Sequence, residues 1–278
     1  MNPSPAPPRL SVIVITKNEA TRLGPCLRSL AFADECIVVD SGSSDGTAAL
    51  ARELGAQVIE TPDWPGFGPQ KQRALDAARG TWVFSIDADE WVDDTLAAAI
   101  RGVVQADAEA EPGGADGQPS GYVVARLSAL CGQWMRAGSW QPDPCLRLFR
   151  RGSARYSDDQ VHERLIHTGR TARLPGWLLH NSLPRLQQAL EKMNAYSSGR
   201  ARDQAARGKR GGLGKAIGHG LWAFIRGYLL RRGFLDGRLG FVLAVMDAEA
   251  SYYRYLKLWL DAQTVPHPLP APGPRRDA

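Results

Sequence analysis

Apolar positions run in short unbroken blocks through the first ninety residues. Leu10–Thr16 (LSVIVIT), Glu35–Asp40 (ECIVVD), residues 57–61 (QVIET) and residues 81–87 (TWVFSID) are rich in β-branched side chains. Such continuous runs fit strands buried on both faces. Between them lie stretches of helical pattern at 21–30, 48–54 and 68–80, the last with Gly80 as its expected glycine cap. Strands alternating with helices at this spacing predict βαβ units and a parallel α/β sheet flanked by helices. A helix over 93–104, strands at 121–127 and 145–151, and a helical region from Arg185 onward complete the pattern.

Two later segments change character. Within residues 214–230 (GKAIGHGLWAFIRGYLL), Ile217, Leu221, Phe224, Ile225 and Tyr228 fall on one helical face. The run also carries Lys215, His219 and Arg226, which makes it too short and too charged for a membrane span. SYYRYLKLWL mixes aromatic residues with Arg254 and Lys257. Aromatics beside basic residues suit a helix lying in a bilayer interface, and they also suit a helix packed on its own domain.

Charge sharpens this division. The net charge of +5 is uneven: residues 1–199 hold 20 Lys/Arg against 23 Asp/Glu, whereas residues 200–260 hold 12 against 4. Basic excess confined to one segment points to an anionic surface as partner. No nucleic-acid motif accompanies it, so a lipid surface is the better reading than nucleic acid. The four cysteines show no metal-binding spacing and no disulfide framework, as in a reducing compartment. MNPSPAPPRL has no apolar signal-peptide core. Residues 1–8 and 263–278 read as proline-rich disordered ends around a catalytic domain over 9–184 and a helical basic region over 185–262.

The chemistry concentrates at strand ends, where open parallel sheets bind ligands. VFSIDADE (residues 83–90) drives a buried strand into Asp87, Asp89 and Glu90. Unpaired carboxylates are costly to bury, so something positive meets them there. A D-x-D pair can hold a divalent cation, or can be a solvated turn. Asp40, within VVDSGSSDGT, can accept hydrogen bonds from a base or ribose, or can cap a helix. Thr16, Lys17, Asn18 and Glu19 close the first strand with polar groups. No G-x-G-x-x-G follows a strand and no Walker A sequence occurs, which removes dehydrogenase and P-loop readings. Asp158, Asp159, His162 and Glu163 in YSDDQVHERL are candidates for a general base or are surface groups. His180 reads as a core histidine or a metal ligand. Arg147, Arg150 and Arg151 read either as a clamp on acceptor phosphates or as solvated side chains.

Together, TKNE, VVDSGSSDGT and IDADE, in this order and spacing, resemble the inverting family 2 glycosyltransferases. GSWQPDPCLRLFRR, DDQVHERL and RRGFLDGRLGFVLAVMDAEASYYRY resemble the subset that adds a β-1,4-linked glucose to an inner-core heptose of lipopolysaccharide; the likeness spans roughly residues 9–260. This resemblance implies a GT-A fold, a UDP-sugar donor (UDP-glucose by family default) and a divalent cation, Mg or Mn. It implies that Thr16, Asn18 and Glu19 line the nucleotide pocket and that Asp40 contacts uracil or ribose. Asp87 would lie by the donor sugar or ribose, with Lys71 among the donor-contacting groups. Asp89 would bind the metal, with His180 as a further ligand. Glu163 is the expected base, with Asp159 second. The implied acceptor is a lipid-linked saccharide, and the implied location is cytoplasmic, peripheral on the inner face of the cytoplasmic membrane. Other acceptors on the same fold (a polyprenyl phosphate, an exopolysaccharide or a protein), or a noncatalytic nucleotide-sugar-binding membrane scaffold, are the competing readings.

Overall fold

The structure, a computed structural model, describes residues 7–109, 118–158 and 163–262. β1 (Leu10–Thr16), α1 (Ala20–Ser29), β2 (Glu35–Asp40), α2 (Thr47–Glu53), β3 (Gln57–Glu60), α3 (Phe67–Ala77) and β4 (Trp82–Ser85) alternate as the apolar blocks predict. β5 (Glu90–Val92) and α4 (Asp94–Glu109) follow. Then come β6 (Gly121–Leu130), β7 (Gln133–Trp134), β8 (Pro144–Arg150), β9 (Ala154–Tyr156), β10 (Leu165–His167) and β11 (Thr171–Leu183). The last helices are α5 (Leu186–Ala206), α6 (Leu213–Phe224) and α7 (Gly237–Leu260); a π-helical segment, Ile225–Leu230, extends α6. The chain divides into a sheet unit, Met1–Trp134 with Pro142–Ser182, and a helical unit, Met135–Gln141 with Leu183–Ala278.

The main sheet of the first unit runs in the order β3-β2-β1-β4-β8-β6-β11-β5, with β7 paired to β6. β3, β2, β1 and β4 are parallel; β8 joins β4 antiparallel, with Trp82 opposite Arg150 and Phe84 opposite Leu148. Alternation along β1 and β2 divides the core. Val12, Val14 and Val38 face α1, α2 and α4, whereas Ile13, Ile37 and Val39 face α3. Asp93 caps α4, its Oδ1 accepting from Leu96 N at 2.8 Å. β11 passes close to that cap at Gly176, whose φ of +91° and lack of a Cβ are both required: a Cβ there would lie 2.3 Å from Leu96 N.

Gly80 corrects one expectation. α3 ends at Ala77, its C-cap Ala78 is extended, and Gly80 does not cap it. Gly80 instead lies against β1, donating its N–H to Ser11 Oγ at 2.7 Å, where a Cβ would stand 2.6 Å from Ser11 N.

In the helical unit, α6 packs on α7 through small residues. Ala216, Gly220 and Gly227 are buried, and a Cβ at Gly220 would reach Ala248 O at 3.3 Å. The apolar stripe read from the sequence is therefore mostly turned outward. Ile217, Leu221 and Ile225 are exposed, Leu221 by 62%, while Phe224 and Tyr228 meet Phe241 edge-to-face. Residues 135–141 join this unit because Asp236, buried before α7, accepts from the backbone N–H groups of Arg136 (3.1 Å) and Ala137 (2.9 Å). Leaving two buried N–H donors unsatisfied costs roughly 2 kcal/mol or more. Asp236→Ala is expected to lower the unfolding free energy by about that amount, with a lower urea midpoint at unchanged slope.

Candidate active site

The end of β1 and the end of β2 carry two loops laced together by side chains. Asp40 closes β2 with its carboxylate only 1% exposed. It accepts from Thr16 Oγ1 at 2.9 Å, Ser43 N at 2.8 Å and Ser43 Oγ at 2.5 Å. Asn18 adopts a φ of +57°, a conformation Asn tolerates better than most side chains, and its Oδ1 accepts from Ser44 N at 2.9 Å. Its own N–H donates to Ser43 Oγ at 2.8 Å. Glu19 N donates to Thr47 Oγ1 at 2.8 Å. Buried Gln70, from α3, donates to Ser41 Oγ and Thr61 Oγ1, fixing the far side of the second loop. Thr16, expected to line a nucleotide pocket, and Asp40, expected to contact a base or ribose, hydrogen-bond to one another, and Asp40 also to Ser43; these bonds set the shape of the loops.

Two residues beyond β4, Asp87 meets two cationic side chains. Its Oδ1 lies 2.9 Å from Lys71 Nζ and its Oδ2 lies 2.9 Å from Arg147 Nη2. The same Arg147 nitrogen reaches Glu90 Oε1 at 2.8 Å, and Arg126 approaches that oxygen at 3.2 Å. Glu90 is fully buried and also accepts from Asp87 N at 3.0 Å, closing the turn around Ala88. Lys71 Nζ has a second carboxylate, Glu163 Oε1, at 3.0 Å. One ammonium therefore holds Asp87 and Glu163 on a common centre.

These contacts decide the protonation states. Low-dielectric surroundings favour the neutral Asp87 carboxyl, but the Arg147 guanidinium and the Lys71 ammonium outweigh them and hold it well below the usual carboxylate range. Burial, the largest single influence, pushes the Lys71 ammonium toward neutrality. Asp87, with smaller contributions from Tyr156 and Glu163, outweighs it and keeps the group charged to higher pH than usual.

Asp89 sits on the other side of the turn. Its Oδ2 is 3.4 Å from His180 Nε2 and 3.6 Å from Arg22 Nη1. Burial opposes ionisation of Asp89, but the hydrogen bond and charge of His180 hold its carboxyl below the ordinary value. His180 is placed by the antiparallel register of β11 on β5, opposite Glu90, and its Nδ1 lies 3.1 Å from Ser128 Oγ. Arg22 also pairs with Glu19 at 2.7 Å. Burial, the largest influence on Glu19, raises its carboxyl above the ordinary value.

Among the described residues no group of three His, Cys, Asp or Glu side chains converges as a ready metal cage. Asp89 and His180 nonetheless fit a hard divalent cation as two of its ligands. A carboxylate oxygen and an imidazole nitrogen 3.4 Å apart can share one ion, and Ser128 on the far nitrogen would fix the ring. The charge balance agrees. Asp87, Asp89, Glu90, Glu163, Glu19 and Asp143 outnumber Lys71, Arg147, Arg126 and Arg22, so a diphosphate entering here needs added positive charge.

The structure brings together Lys71, Asp87, Asp89, Glu163 and His180, and separately Thr16, Asn18, Glu19 and Asp40. Asp159 and His162 lie outside the described residues. The three arginines read either as a phosphate clamp or as solvated side chains each have a partner within the protein. Arg147 is buried against Asp87 and Glu90, Arg150 pairs with Asp107 and lies 4.9 Å from the Trp82 ring, and Arg151 Nε donates to Gly80 O. The pairing of Arg147 with Asp87 and Glu90 was not read from the sequence. The available signal was an arginine between Leu146 and Leu148 in a buried strand, which requires a buried carboxylate.

A parallel α/β core with a carboxylate turn at the end of its fourth strand, bordered by polar loops at the ends of the first two, has the layout of an α/β protein whose ligands bind at the strand ends. The sequence profile of Glycosyl transferase family 2 matches residues 11–117. The lipopolysaccharide core biosynthesis glycosyltransferase LpsC of Rhizobium meliloti is 33% identical, covering 88% of this chain and 93% of its own length. An uncharacterized glycosyltransferase of Rickettsia prowazekii is 30% identical over 90% of this chain and 86% of its own. Among solved structures, Staphylococcus aureus TarS 1-349 is 16% identical, with a TM-score of 0.46 over 91% of this chain and 83% of its own. The chain belongs to the family 2 glycosyltransferases, and its sheet unit has the GT-A fold.

Lys71→Met would leave Asp87 with Arg147 alone and Glu163 without its cation. It is expected to destabilise the protein by about 2 kcal/mol at neutral pH, less than for a fully buried pair because Asp87 is partly exposed. The sign of the pH dependence follows from the two shifts. The Asp87 contribution is complete above about pH 4 and is lost as pH falls through its lowered folded value. The Lys71 contribution is complete below about pH 10 and is lost as pH rises through its raised folded value. Urea unfolding is expected to show a constant gap between wild type and variant from about pH 5 to 9, narrowing in acid.

Proposed function

We propose that the protein is an inverting hexosyltransferase that moves a sugar from a UDP-sugar, glucose by preference, onto a heptose of the lipopolysaccharide core. The observation that carries this reading is the shared ammonium: Lys71 fixes Asp87, the carboxylate proposed to meet the donor, and Glu163, the proposed base, at 2.9 and 3.0 Å. The name of the LpsC relative supports the acceptor class. Thr16, Asn18, Glu19 and Asp40 shape the nucleotide pocket; direct contact of the base with Asp40 requires Ser43 to give way.

In this mechanism Glu163 takes the proton of an acceptor hydroxyl as its oxygen attacks the anomeric carbon. The bond from that carbon to the diphosphate breaks, UDP leaves with the electron pair, and one displacement inverts the configuration. Asp89 and His180 would hold the divalent cation, whose chemistry is to offset charge developing on the leaving diphosphate. Arg147 and Lys71 keep Asp87 ionised and in place throughout.

The test is UDP release with a panel of UDP-sugars, with and without Mn²⁺, on purified inner-core lipopolysaccharide. Glu163→Gln is expected to lower kcat by about 10²–10⁴ with donor affinity retained. Asp89→Ala is expected to remove metal-stimulated turnover while leaving the unfolding transition intact. Near-normal turnover in both variants would refute the assignment.

An anionic bilayer is the proposed partner of the helical unit. Leu221, Trp222, Ile225, Leu229 and Leu230 stand exposed along α6 and its π-helical extension, within the segment of basic excess. Among the described residues no helix is long and apolar enough to cross a membrane, so the association would be interfacial. Flotation with phosphatidylglycerol vesicles is expected to carry the protein at low salt. Binding should weaken as salt rises and fall severalfold in a Leu221→Ser, Ile225→Ser variant; no binding at low salt would refute it.

A further inference from the structure

The helical unit contains a cleft of about 350 Å³ lined by residues of α5, the π-helical extension of α6, α7 and the segment Met135–Gln141. Arg200, Arg226 and Arg254 contribute to its wall, with Ser139, Ser251 and a single carboxylate, Asp247. None of the three arginines has a carboxylate within 4.0 Å among the described residues. Arg254 Nε is buried with no hydrogen-bond partner. Its guanidinium is held 4.6 Å from the Tyr255 ring and makes one long contact, 3.4 Å, to Ser251 Oγ, so it is oriented with its donors largely unspent. Asp247 is engaged by the Ser139 hydroxyl; burial raises its carboxyl above the usual value, against the opposing hydrogen bond of Ser139 and the charges of Arg226, Arg200 and Arg231. The neighbouring Arg231 already donates to Ser139 O at 3.1 Å. Arg226 lies in the π-helical segment, an element found frequently at functional sites.

We infer that this cleft binds a phosphate ester through Arg200, Arg226 and Arg254. Guanidinium groups recognise phosphate oxygens through paired charge-assisted hydrogen bonds, and three of them around a single carboxylate leave net positive charge in the cleft that favours an external anion. Trp140 and Tyr196 on the wall leave room for an apolar or sugar portion beside the phosphate. The ester could belong to a lipid headgroup or to a phosphorylated saccharide. The inference uses only residues of the helical unit and does not depend on the transferase reading.

Isothermal titration of the full chain with inorganic phosphate tests it. Saturable binding is expected, weakened by about 10- to 100-fold in either Arg226→Gln or Arg200→Gln, both exposed positions, and unchanged in Arg202→Gln, an exposed arginine outside the cleft. Competition by phosphatidylglycerol vesicles would assign the ester to a lipid. Competition by glucose 6-phosphate, but not by vesicles or glucose, would assign it to a saccharide. Absence of saturable phosphate binding, or binding indifferent to both cleft substitutions, would overturn the inference. Phosphate held at the donor site leaves the difference between wild type and these variants at zero, so the two sites are told apart.

Discussion

The pairing of Asp87 and Glu90 with Lys71 and Arg147 is the constraint around which the sheet unit is built. A buried carboxylate without a cation costs several kcal/mol, and here the fully buried Glu90 and the half-buried Asp87 lie within four residues. The cations must come from elsewhere in the chain, and the topology supplies them from two directions. α3 precedes β4 and brings Lys71; β8 runs antiparallel to β4 and brings Arg147 beside the strand end where the turn begins. The switch from parallel to antiparallel pairing at β4 is therefore part of the site. A parallel neighbour in that place would carry its own chain direction away from the turn.

Much of this was legible in advance, for a definite reason. β1 and β2 are apolar along their whole length, so their limits coincide with the change to polar residues, and the observed strands end at Thr16 and Asp40 as read. The same reasoning put a positive partner at Asp87. It could not say that protein side chains fill that role for Asp87 while Asp89 turns to His180, because Lys71 sits in the preceding helix, Arg147 lies 60 residues away and His180 comes from a later strand. Asp40 illustrates a second limit. An Asp followed by small polar residues has the same composition whether it faces a ligand or its own loop, and only the three-dimensional structure shows the hydrogen bonds it accepts from Thr16 and Ser43.

The helical unit shows why an apolar stripe has a position but no direction. Periodicity located Ile217, Leu221 and Ile225 on one face of α6, and either a protein core or an outside partner could have covered it. Backbone proximity decided between these. Gly220 and Gly227 allow α6 and its extension to lie against the rest of the unit more closely than larger residues would permit, so the glycine face packs inward and the large side chains remain outside. Phe224 and Tyr228 stay partly covered because aromatic contacts with Phe241 hold them at the edge of that interface.

The two units handle charge in opposite ways, and the contrast bears on function. In the sheet unit each of Lys71, Arg147, Arg126 and Arg22 has a carboxylate within 3.6 Å, and carboxylates are in excess. That arrangement keeps the acids ionised and leaves net negative charge at the site, as the proposed use of a cation with a diphosphate requires. In the helical unit, Arg200, Arg226 and Arg254 border one cleft with a single engaged carboxylate among them. Mutual repulsion disfavours such a grouping in isolation, and solvent relieves it only in part where Arg254 Nε is buried. An anion supplied from outside removes both costs at once. The basic excess of residues 200–260 thus has two physically distinct components: a diffuse one, which attracts an anionic surface over the range of a Debye length, and a local one, whose geometry selects for a phosphate oxygen.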